Sequence, residues 1–295
     1  MIPPKNMRAE AKELNDETRK SAGGAFIQIP RGITHYELAG NDSDELIVLV
    51  HGFSVPYFIF DPTFEFLTRS GFRVLRYDLF GRGYSDRPRV EYNLDLFVAQ
   101  LVDLLDALRF TGTVNLLGLS LGGLIASAFT VRHPERVAKL ILIDPAGAKP
   151  ITLTPVLKAV KIPFVAEAVL SVVGSEALIQ NTARDFFDPA LVEHFMEKYR
   201  VQMQYRGFQR AILSSIRNGM LAGFSHIYQT LGKMNKPTLL FWGRNDVTVP
   251  FDHSRALCEA MPHAQFHVIE NCGHIPHYER PAEVNPILLE FLRQA

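Results

Sequence analysis

One serine in this chain stands where a strand pattern turns sharply into a helical one. Ser120 lies between Gly118 and Gly122 in the sequence GLSLGG, and the helical pattern starts at Leu121. Side chains at the flanking positions would collide with neighbouring elements, so such a turn needs glycine there. The turn would present the Ser120 hydroxyl at the carboxyl end of a sheet, with the Leu121 amide at an anion-stabilising helix N-terminus. The pattern favours nucleophilic catalysis; the alternative is that the glycines only allow close helix packing.

A serine hydroxyl needs a neighbouring base, and His274 is the predicted one. Serine is a weak nucleophile until a base takes its proton. Of the ten histidines, His274 follows the strand pattern QFHVIE and lies in a glycine-containing loop before the last helical pattern. Such a loop can bend back over the end of the sheet. His277 is the nearest competitor, and we expect it to pack against, or hydrogen-bond to, the helical insertion described below.

Two aspartates compete for the acid that would orient the histidine and stabilise its cation. Asp246 follows the strand pattern PTLLFWG in the turn-rich sequence GRND, and Asp144 ends the strand pattern LILID. Both lie at strand ends, so the residues alone leave the choice open. Asp78, in DLFGRG, is predicted to be structural, with its carboxylate binding backbone amides of a glycine turn.

The elements that would carry these residues alternate between strand and helix. Apolar runs such as ELIVLV and AKLILID are typical of strands buried on both faces. Amphipathic patterns lie between them, which indicates a mostly parallel sheet covered by helices. Arg31-Gly32 separates two further strand patterns and predicts a hairpin. The alternation lapses over residues 146–233, which indicates a helical insertion. Residues 1–24 are predicted to form a short charged helix or a leader.

The composition is globular and argues against several classes of function. The chain has 295 residues, 47% of them hydrophobic, with 31 basic and 31 acidic side chains. Zero net charge gives no general attraction for nucleic acid, and no apolar run suits stable membrane insertion. The N-terminus lacks the apolar core of a secretory signal. Cys258 and Cys272 are too few for a disulfide framework or a zinc site, so we expect free thiols in the cytoplasm. A processed precursor stays open.

Five ordered motifs resemble those of the α/β-hydrolase fold superfamily, over residues 26–295. They begin at His51 (HGF), Asp78 (DLFGRGYSDRP), Gly118 (GLSLGG), Gly243 (GRNDVTVP) and Asn271 (NCGHIPHYERP). The resemblance implies an α/β fold, with a mostly parallel sheet of about eight strands flanked by helices. It also implies a core domain of residues 25–145 and 234–295, and a helical cap of residues 146–233.

The resemblance implies roles for the acid and the base. The family's order of serine, acid and histidine gives a triad of Ser120, Asp246 and His274. Asp246 has the commoner position of the acid. Asp144 has the position that some members use, and here it would hold the loop that enters the cap.

An oxyanion hole follows from the same resemblance. The amides of Phe53 and Leu121 would form it, each contributing about 2.7–4 kcal/mol to transition-state stabilisation. His51 would brace its loop and would not act as a base. No metal and no organic cofactor are implied.

Ester hydrolysis is the reaction that the motifs favour. By resemblance, serine at position 120 excludes haloalkane dehalogenases and epoxide hydrolases, which need aspartate there. HGFSVP departs from the HGxGPG of carbon–carbon hydrolases acting on ring-cleavage products and from the HGGPG of proline iminopeptidases. The resemblance thus implies a lipase-like serine esterase that cleaves esters of short to medium apolar acyl chains through an acyl-enzyme. Three alternatives stay open: a carbon–carbon hydrolase, a cofactor-free perhydrolase or haloperoxidase, and a non-catalytic ligand receptor.

A small uncharged ester is the expected partner, and the cap would select it. Apolar side chains near the oxyanion loop, in the cap and beside the acid are the candidates for its pocket: Tyr57, Phe58, Leu153, Leu157, Phe186, Met203 and Val247. Each cap member could equally belong to the cap's own core. An inward arginine, from Arg184, Arg206 or Arg210, would instead favour the charged substrate of a carbon–carbon hydrolase. The oligomeric state stays open.

Overall fold

A computed structural model of the chain describes residues 10–151 and 175–294. Within these ranges eight strands form one sheet in the order β1-β2-β4-β3-β5-β6-β7-β8. The strands are β1 (Ala25–Ile29), β2 (Gly32–Ala39), β3 (Leu46–Val50), β4 (Arg73–Tyr77), β5 (Val114–Leu119), β6 (Val137–Ile143), β7 (Thr238–Gly243) and β8 (Gln265–Ile269). β2 runs antiparallel to β1 and β4, whereas all other pairings are parallel. The predicted hairpin and the mostly parallel sheet of about eight strands are confirmed.

Helices cover both faces of this sheet. The described helices are α1 (Asp16–Lys20), α2 (Asp61–Arg69), α3 (Leu94–Ala107), α4 (Leu121–Arg132), α5 (Ser175–Ala183), α6 (Val192–Gln202), α7 (Phe208–Arg217), α8 (Ser225–Met234), α9 (His253–Ala260), α10 (Pro276–Glu279) and α11 (Pro281–Arg293). Over the described ranges, none of them is both long enough and apolar enough to cross a membrane.

The central strands are buried on both faces, which explains their continuous apolar sequences. Every residue of β3, β5 and β7 is buried. A parallel strand between two helical layers has no solvent-facing side, so alternation with polar residues would leave polar groups without water. β5 lies between β3 and β6. Because β3 to β8 are parallel, their carboxyl ends meet at one edge, and we call this edge the carboxyl edge.

The helical insertion divides into parts that pack differently. Helices α5, α6 and α7 carry apolar side chains that join the buried cluster on one face of the sheet. Helix α8 instead packs on α4 and α9, and the Tyr228 hydroxyl donates to the carbonyl of Ala146. Helix α8 therefore packs as one of the core helices, although most of it falls within the range predicted for the cap. The predicted pocket residues Leu153 and Leu157 lie outside the described residues.

The N-terminal segment lies across the insertion. Lys12 donates its amide to the Gln204 carbonyl (2.9 Å) and accepts from the Arg206 amide (2.8 Å). Farther along, Arg19 in α1 pairs with Asp86 of the core at 2.5 Å. A short charged helix is thus present in the predicted leader, and the segment from Lys12 to Arg19 contacts both the insertion and the core. Residues 1–9 lie outside the described ranges.

Candidate active site

Ser120 stands on a strained turn between β5 and α4. Its backbone has φ 54° and ψ −119°. Residues other than glycine rarely adopt this combination of angles. A Cβ at Gly118 would overlap the carbonyl of Gly122, and one at Gly122 would overlap the carbonyl of Val50. Glycine is therefore required on both sides for steric reasons. The turn predicted from the sequence is present, while the role of Ser120 as nucleophile stays a prediction.

Asp246 and His274 meet at the same edge. The distance from His274 Nδ1 to Asp246 Oδ2 is 2.7 Å, and both side chains are buried. Asp246 Oδ1 accepts from the amides of Thr248 (2.8 Å) and Val249 (2.9 Å), which fixes the carboxylate. Bonding at Nδ1 leaves Nε2 of the ring to serve as a base. The hydrogen bonds of the described residues include none between Ser120 Oγ and His274, a contact that is often long before substrate binds.

The electrostatic surroundings keep His274 basic. Burial lowers the pKa of His274, but the bonded Asp246 carboxylate and the nearby Asp185 outweigh it, and the net pKa is raised. A carboxylate at Nδ1 supports the cation that forms when Nε2 accepts a proton. The arrangement can therefore perform general base and then general acid catalysis.

Asp144, the rival acid, bonds to a strand and not to the histidine. Its Oδ1 accepts from the Gly243 amide at 2.9 Å, and its own amide donates to Phe241 at 3.0 Å. Burial, followed by the neighbouring Asp246, raises the pKa of Asp144 well above its usual range. Since Asp246 bonds to the imidazole directly, the geometry favours Asp246 as the acid.

These side chains also form a possible metal-ligating group. Ligating atoms of Asp144, Asp246 and His274 all lie within 4.8 Å of one another, and the described residues contain no other such group. The Nδ1 atom of His274 is already hydrogen-bonded to Asp246. A cation there would have to displace that bond, so the donor set fits a hydrogen-bonded triad better than a metal site.

The loop after β3 lies beside Ser120. A Cβ built on Gly52 would lie 3.4 Å from Ser120 Cβ. Among the described residues, the amides of Phe53 and Leu121 donate to no protein acceptor, as an anion-binding pair requires. His51 donates from Nδ1 to the Gly52 carbonyl (2.9 Å) and accepts at Nε2 from an amide. Burial lowers the pKa of His51 to about 4, so the ring is neutral and braces the loop.

Comparison with known proteins decides the family. The model of the alpha/beta hydrolase family matches residues 47–287. The chain is an α/β hydrolase. It is 32% identical over 229 residues to the 2-hydroxymuconate semialdehyde hydrolase of Pseudomonas sp. (strain CF600), covering 76% of this chain and 77% of that protein. It is 29% identical to the 2-hydroxy-6-oxo-6-phenylhexa-2,4-dienoate hydrolase of Burkholderia cepacia, covering 94% of this chain and 98% of that protein.

A solved structure supports the same assignment. The meta-cleavage product hydrolase of Pseudomonas fluorescens IP01 (CumD) superposes on this α/β hydrolase with a TM-score of 0.75 at 28% identity. The match covers 91% of this chain and 97% of that one. The similarity thus extends over the core and into the cap.

Some predicted pocket residues of the α/β hydrolase lie between core and cap. Phe58 contacts Phe195 of α6 with ring centroids 5.2 Å apart, and Phe186 contacts the same ring at 5.0 Å. Tyr278, close to His274 in sequence, completes this aromatic cluster at 5.2 Å from Phe195. Met203 is buried at the end of α6 in the same apolar layer. These residues join cap to core, and their contact with an acyl chain stays a prediction.

Three residues have surroundings that differ from those expected. The ring of Tyr57 lies 4.8 Å from His35 and 4.8 Å from the Arg76 guanidinium, so it packs in part on the core, and its contact with a substrate stays a prediction. Val247 is 65% exposed, because the Asp246 turn points the next side chain to solvent, and it does not line an enclosed pocket. His277 Nε2 lies 3.2 Å from the Ile59 carbonyl, so among the described residues its hydrogen-bond partner belongs to the core and not to the cap.

Asp78 has the structural role expected of it. Its Oδ2 accepts from the Tyr84 amide (2.8 Å) in the glycine turn and lies 2.8 Å from His35 Nδ1. Its Oδ1 accepts from the Tyr57 amide at 3.0 Å. The carboxylate therefore joins the turn to the segment that follows the oxyanion loop.

Contacts between the cap and the histidine loop were missed from the sequence. Glu279 accepts from the amides of Phe187 (2.7 Å) and Asp188 (2.9 Å) with one oxygen, and from Gly273 (2.7 Å) with the other. The His274 amide donates to the Asp185 carbonyl at 2.7 Å. Glu279 lies within the motif NCGHIPHYERP, so its position in the sequence could have drawn attention to it. No motif surrounds Asp185 in the cap.

Arg82 is a second residue whose role the sequence did not reveal. It is fully buried. Nε donates to the Phe53 carbonyl (2.9 Å), Nη1 to Phe80 (3.1 Å) and Nη2 to the Ser215 hydroxyl of α7 (2.9 Å). Burial lowers the pKa of Arg82 to about 10, which still leaves it charged at neutral pH. One side chain thus joins the predicted oxyanion loop to the cap.

Proposed function

We propose that this α/β hydrolase is a serine esterase that cleaves uncharged esters of short to medium apolar acyl chains. The observation that carries the proposal is the 2.7 Å contact between His274 and Asp246, formed at the sheet edge where the strained turn presents Ser120. A buried carboxylate on Nδ1 of a histidine, beside a serine on such a turn, supports acyl transfer.

The reaction would proceed through an acyl-enzyme. Ser120 Oγ attacks the ester carbonyl carbon while His274 Nε2 takes the hydroxyl proton, and the carbonyl oxygen becomes an anion facing the Phe53 and Leu121 amides. His274 then gives the proton to the departing alcohol oxygen. Water, deprotonated by His274, attacks the acyl carbon, and the acid leaves as the proton returns to Ser120.

The surroundings of the arginines support an uncharged substrate. Arg206 pairs with Glu13, and Arg210 donates to the carbonyls of Pro88 (3.1 Å) and Arg87 (2.6 Å). Arg184 is exposed. Residues 152–174, outside the described ranges, contain two lysines and no arginine. Of these three arginines, two are thus engaged with protein groups and the third is exposed to solvent.

Carbon–carbon bond hydrolysis is the second candidate. The relatives at 29–32% identity are named for muconate semialdehyde and dienoate substrates, and the match to one of them covers 94% of this chain. The same serine, histidine and aspartate would serve that reaction. HGFSVP and the engaged arginines favour the ester instead.

A substrate panel distinguishes the two. Specificity constants kcat/KM are measured for p-nitrophenyl esters from acetate to dodecanoate, and for a 2-hydroxy-6-oxo-dienoate. We expect kcat/KM to rise with acyl length, since each buried methylene contributes about 0.8 kcal/mol, and to fall once the pocket is full. A flat ester profile together with fast dienoate cleavage would establish the carbon–carbon reaction. The Ser120→Ala variant serves as the control for non-enzymatic hydrolysis.

A cytoplasmic location is part of the same proposal. Cys258 and Cys272 are free thiols, and free thiols persist in a reducing compartment. Cell fractionation with antibody detection tests it, and recovery of the protein from a secreted fraction would contradict it.

A further inference from the structure

We propose that Asp144 and Asp246 share one proton, with Asp144 present as a neutral acid that donates a hydrogen bond to Asp246 and orients that carboxylate toward His274. Asp144 is then a positioning residue for the triad. Its effect on rate rests on the proposed function, whereas its protonation does not.

The position of Asp144 calls for such a proton. The side chain is fully buried. Oδ1 accepts from the Gly243 amide at 2.9 Å, whereas Oδ2 is buried with no hydrogen-bond partner among the described groups. Its ligating oxygen lies within 4.8 Å of those of Asp246 and His274. A buried carboxylate oxygen without a donor is costly, and a proton on it turns the same atom into a donor.

The charges around the pair leave room for one negative charge and not two. Titratable groups from three directions face it: Asp246 after β7, His274 and Cys272 in the loop after β8, and Glu279 in α10. Asp185 of the cap faces Asp246 and His274. In the described part of the chain, neither lysine nor arginine forms an ion pair with Asp144 or Asp246. Two adjacent buried carboxylates with one imidazole cannot both ionise cheaply.

The hydrogen-bond donors show which carboxyl holds the proton. Asp246 accepts from two amides and from His274, and Glu279 accepts from three amides. Each hydrogen bond of this kind favours the anionic form of the carboxyl group that accepts it. Asp144 has one amide donor, so it is the group that the surroundings stabilise least as an anion. The proton therefore resides on Asp144 Oδ2, directed at Asp246.

Substitution by asparagine tests this directly, because the amide reproduces the neutral acid. Asn at 144 can accept from the Gly243 amide through Oδ1 and donate from Nδ2 to Asp246. We expect Asp144→Asn to keep kcat/KM for a p-nitrophenyl ester within about threefold, with an unchanged acidic limb of the pH profile. Asp144→Ala should lose about tenfold to a hundredfold, which corresponds to one hydrogen bond to a charged group. Equal losses in Asp144→Asn and Asp246→Asn would overturn the proposal, since the charge of Asp144 would then be needed.

An infrared measurement tests the proton without any turnover. Ser120→Ala protein at about pH 8, where ordinary carboxyl groups are ionised, should show the carbonyl stretching band of a protonated carboxylic acid that shifts in D₂O. Adding Asp144→Asn should remove that band, while Asp185→Asn should leave it. A spectrum without the band overturns the shared proton even if the esterase proposal stands. Loss of esterase activity on treatment with EDTA would also overturn it, because a metal would then balance the charges.

Discussion

The carboxyl edge and the cap differ in the bonds that hold them in place. At the edge, backbone bonds between neighbouring strand ends fix the candidate triad: the Ser120 amide donates to Ile143 at 2.9 Å, and the Asn245 amide donates to Cys272 at 2.9 Å. The cap is joined to the core by apolar packing and by bonds that include a charged side chain, among them those of Glu279 and Arg82, with the backbone bond from His274 to Asp185 beside them. Sheet topology thus positions the candidate triad, whereas charged side chains and apolar packing hold much of the described cap.

This difference predicts a gradient of effects. Substitutions at the edge remove groups that would take part in bond making, so their losses should be large and should leave folding intact. Substitutions at the cap contacts move the oxyanion loop or the histidine by a small amount, so their losses should be modest. The predictions below run from the first kind to the second.

Removing the nucleophile or the base should have the largest effect. Ser120→Ala and His274→Ala should each lower kcat by up to about a millionfold, as for the corresponding residues of a serine protease. The double variant should be no slower than either single one, because the two residues act as a unit. Steady-state kinetics with thermal unfolding as a folding control measures this. Substantial turnover in a folded Ser120→Ala protein would refute the triad.

Removing the charge of the acid should come next. Asp246→Asn keeps the shape of the side chain and both amide bonds to Oδ1, but removes the charge that supports the imidazolium. In a serine protease the same kind of change costs about ten-thousandfold in kcat. Burst kinetics separates acylation from deacylation. A loss of less than tenfold would show that another carboxylate serves the histidine.

The two regions also differ in how far the sequence predicts them. The edge was predictable because its signals are local: β3 is apolar throughout and fully buried, and the glycines around Ser120 are required by overlaps with nearby backbone. The cap contacts were not, because their partners are far apart in sequence. Glu279 bonds to Phe187 across 92 residues. Val247 shows the limit even near the triad, because side-chain direction at a turn depends on backbone angles that composition does not encode.

Arg82 sharpens the comparison, since it joins the predicted oxyanion loop to the cap. Arg82→Lys should lower kcat about tenfold to a hundredfold, because one ammonium cannot serve three acceptors that a planar guanidinium reaches. KM should change less, since the loss falls on a bond to the loop that carries the Phe53 amide. Arg210→Lys is the matched control, because Arg210 also donates to two backbone carbonyls but not to this loop. Equal losses in both variants would attribute the effect to general destabilisation.

The smallest expected effect is a shift in pH dependence, caused by a cap residue that acts on the base. Burial raises the pKa of Asp185 to about 6, so its carboxylate is ionised above that pH. The ionised form raises the pKa of His274. His274 must be neutral to accept a proton, so activity is lost as pH falls through its pKa. In Asp185→Asn that pKa should fall, and the acidic limb of kcat/KM should move to lower pH with the plateau retained.

The pH dependence of thermal stability provides a second, independent test of Asp185→Asn. An acid whose pKa in the folded state is raised above its unfolded value destabilises the fold increasingly as pH rises from about 4 to about 6. Asp185→Asn should therefore raise the melting temperature Tm relative to the parent above pH 6, and less at lower pH. The backbone bond from His274 to residue 185 remains in this variant. Asp188 lies in the same loop, and its carboxylate accepts from the Ala190 amide. Asp188→Asn serves as the control. If its acidic limb moved as far as that of Asp185→Asn, loop position and not charge would set the pKa of the base.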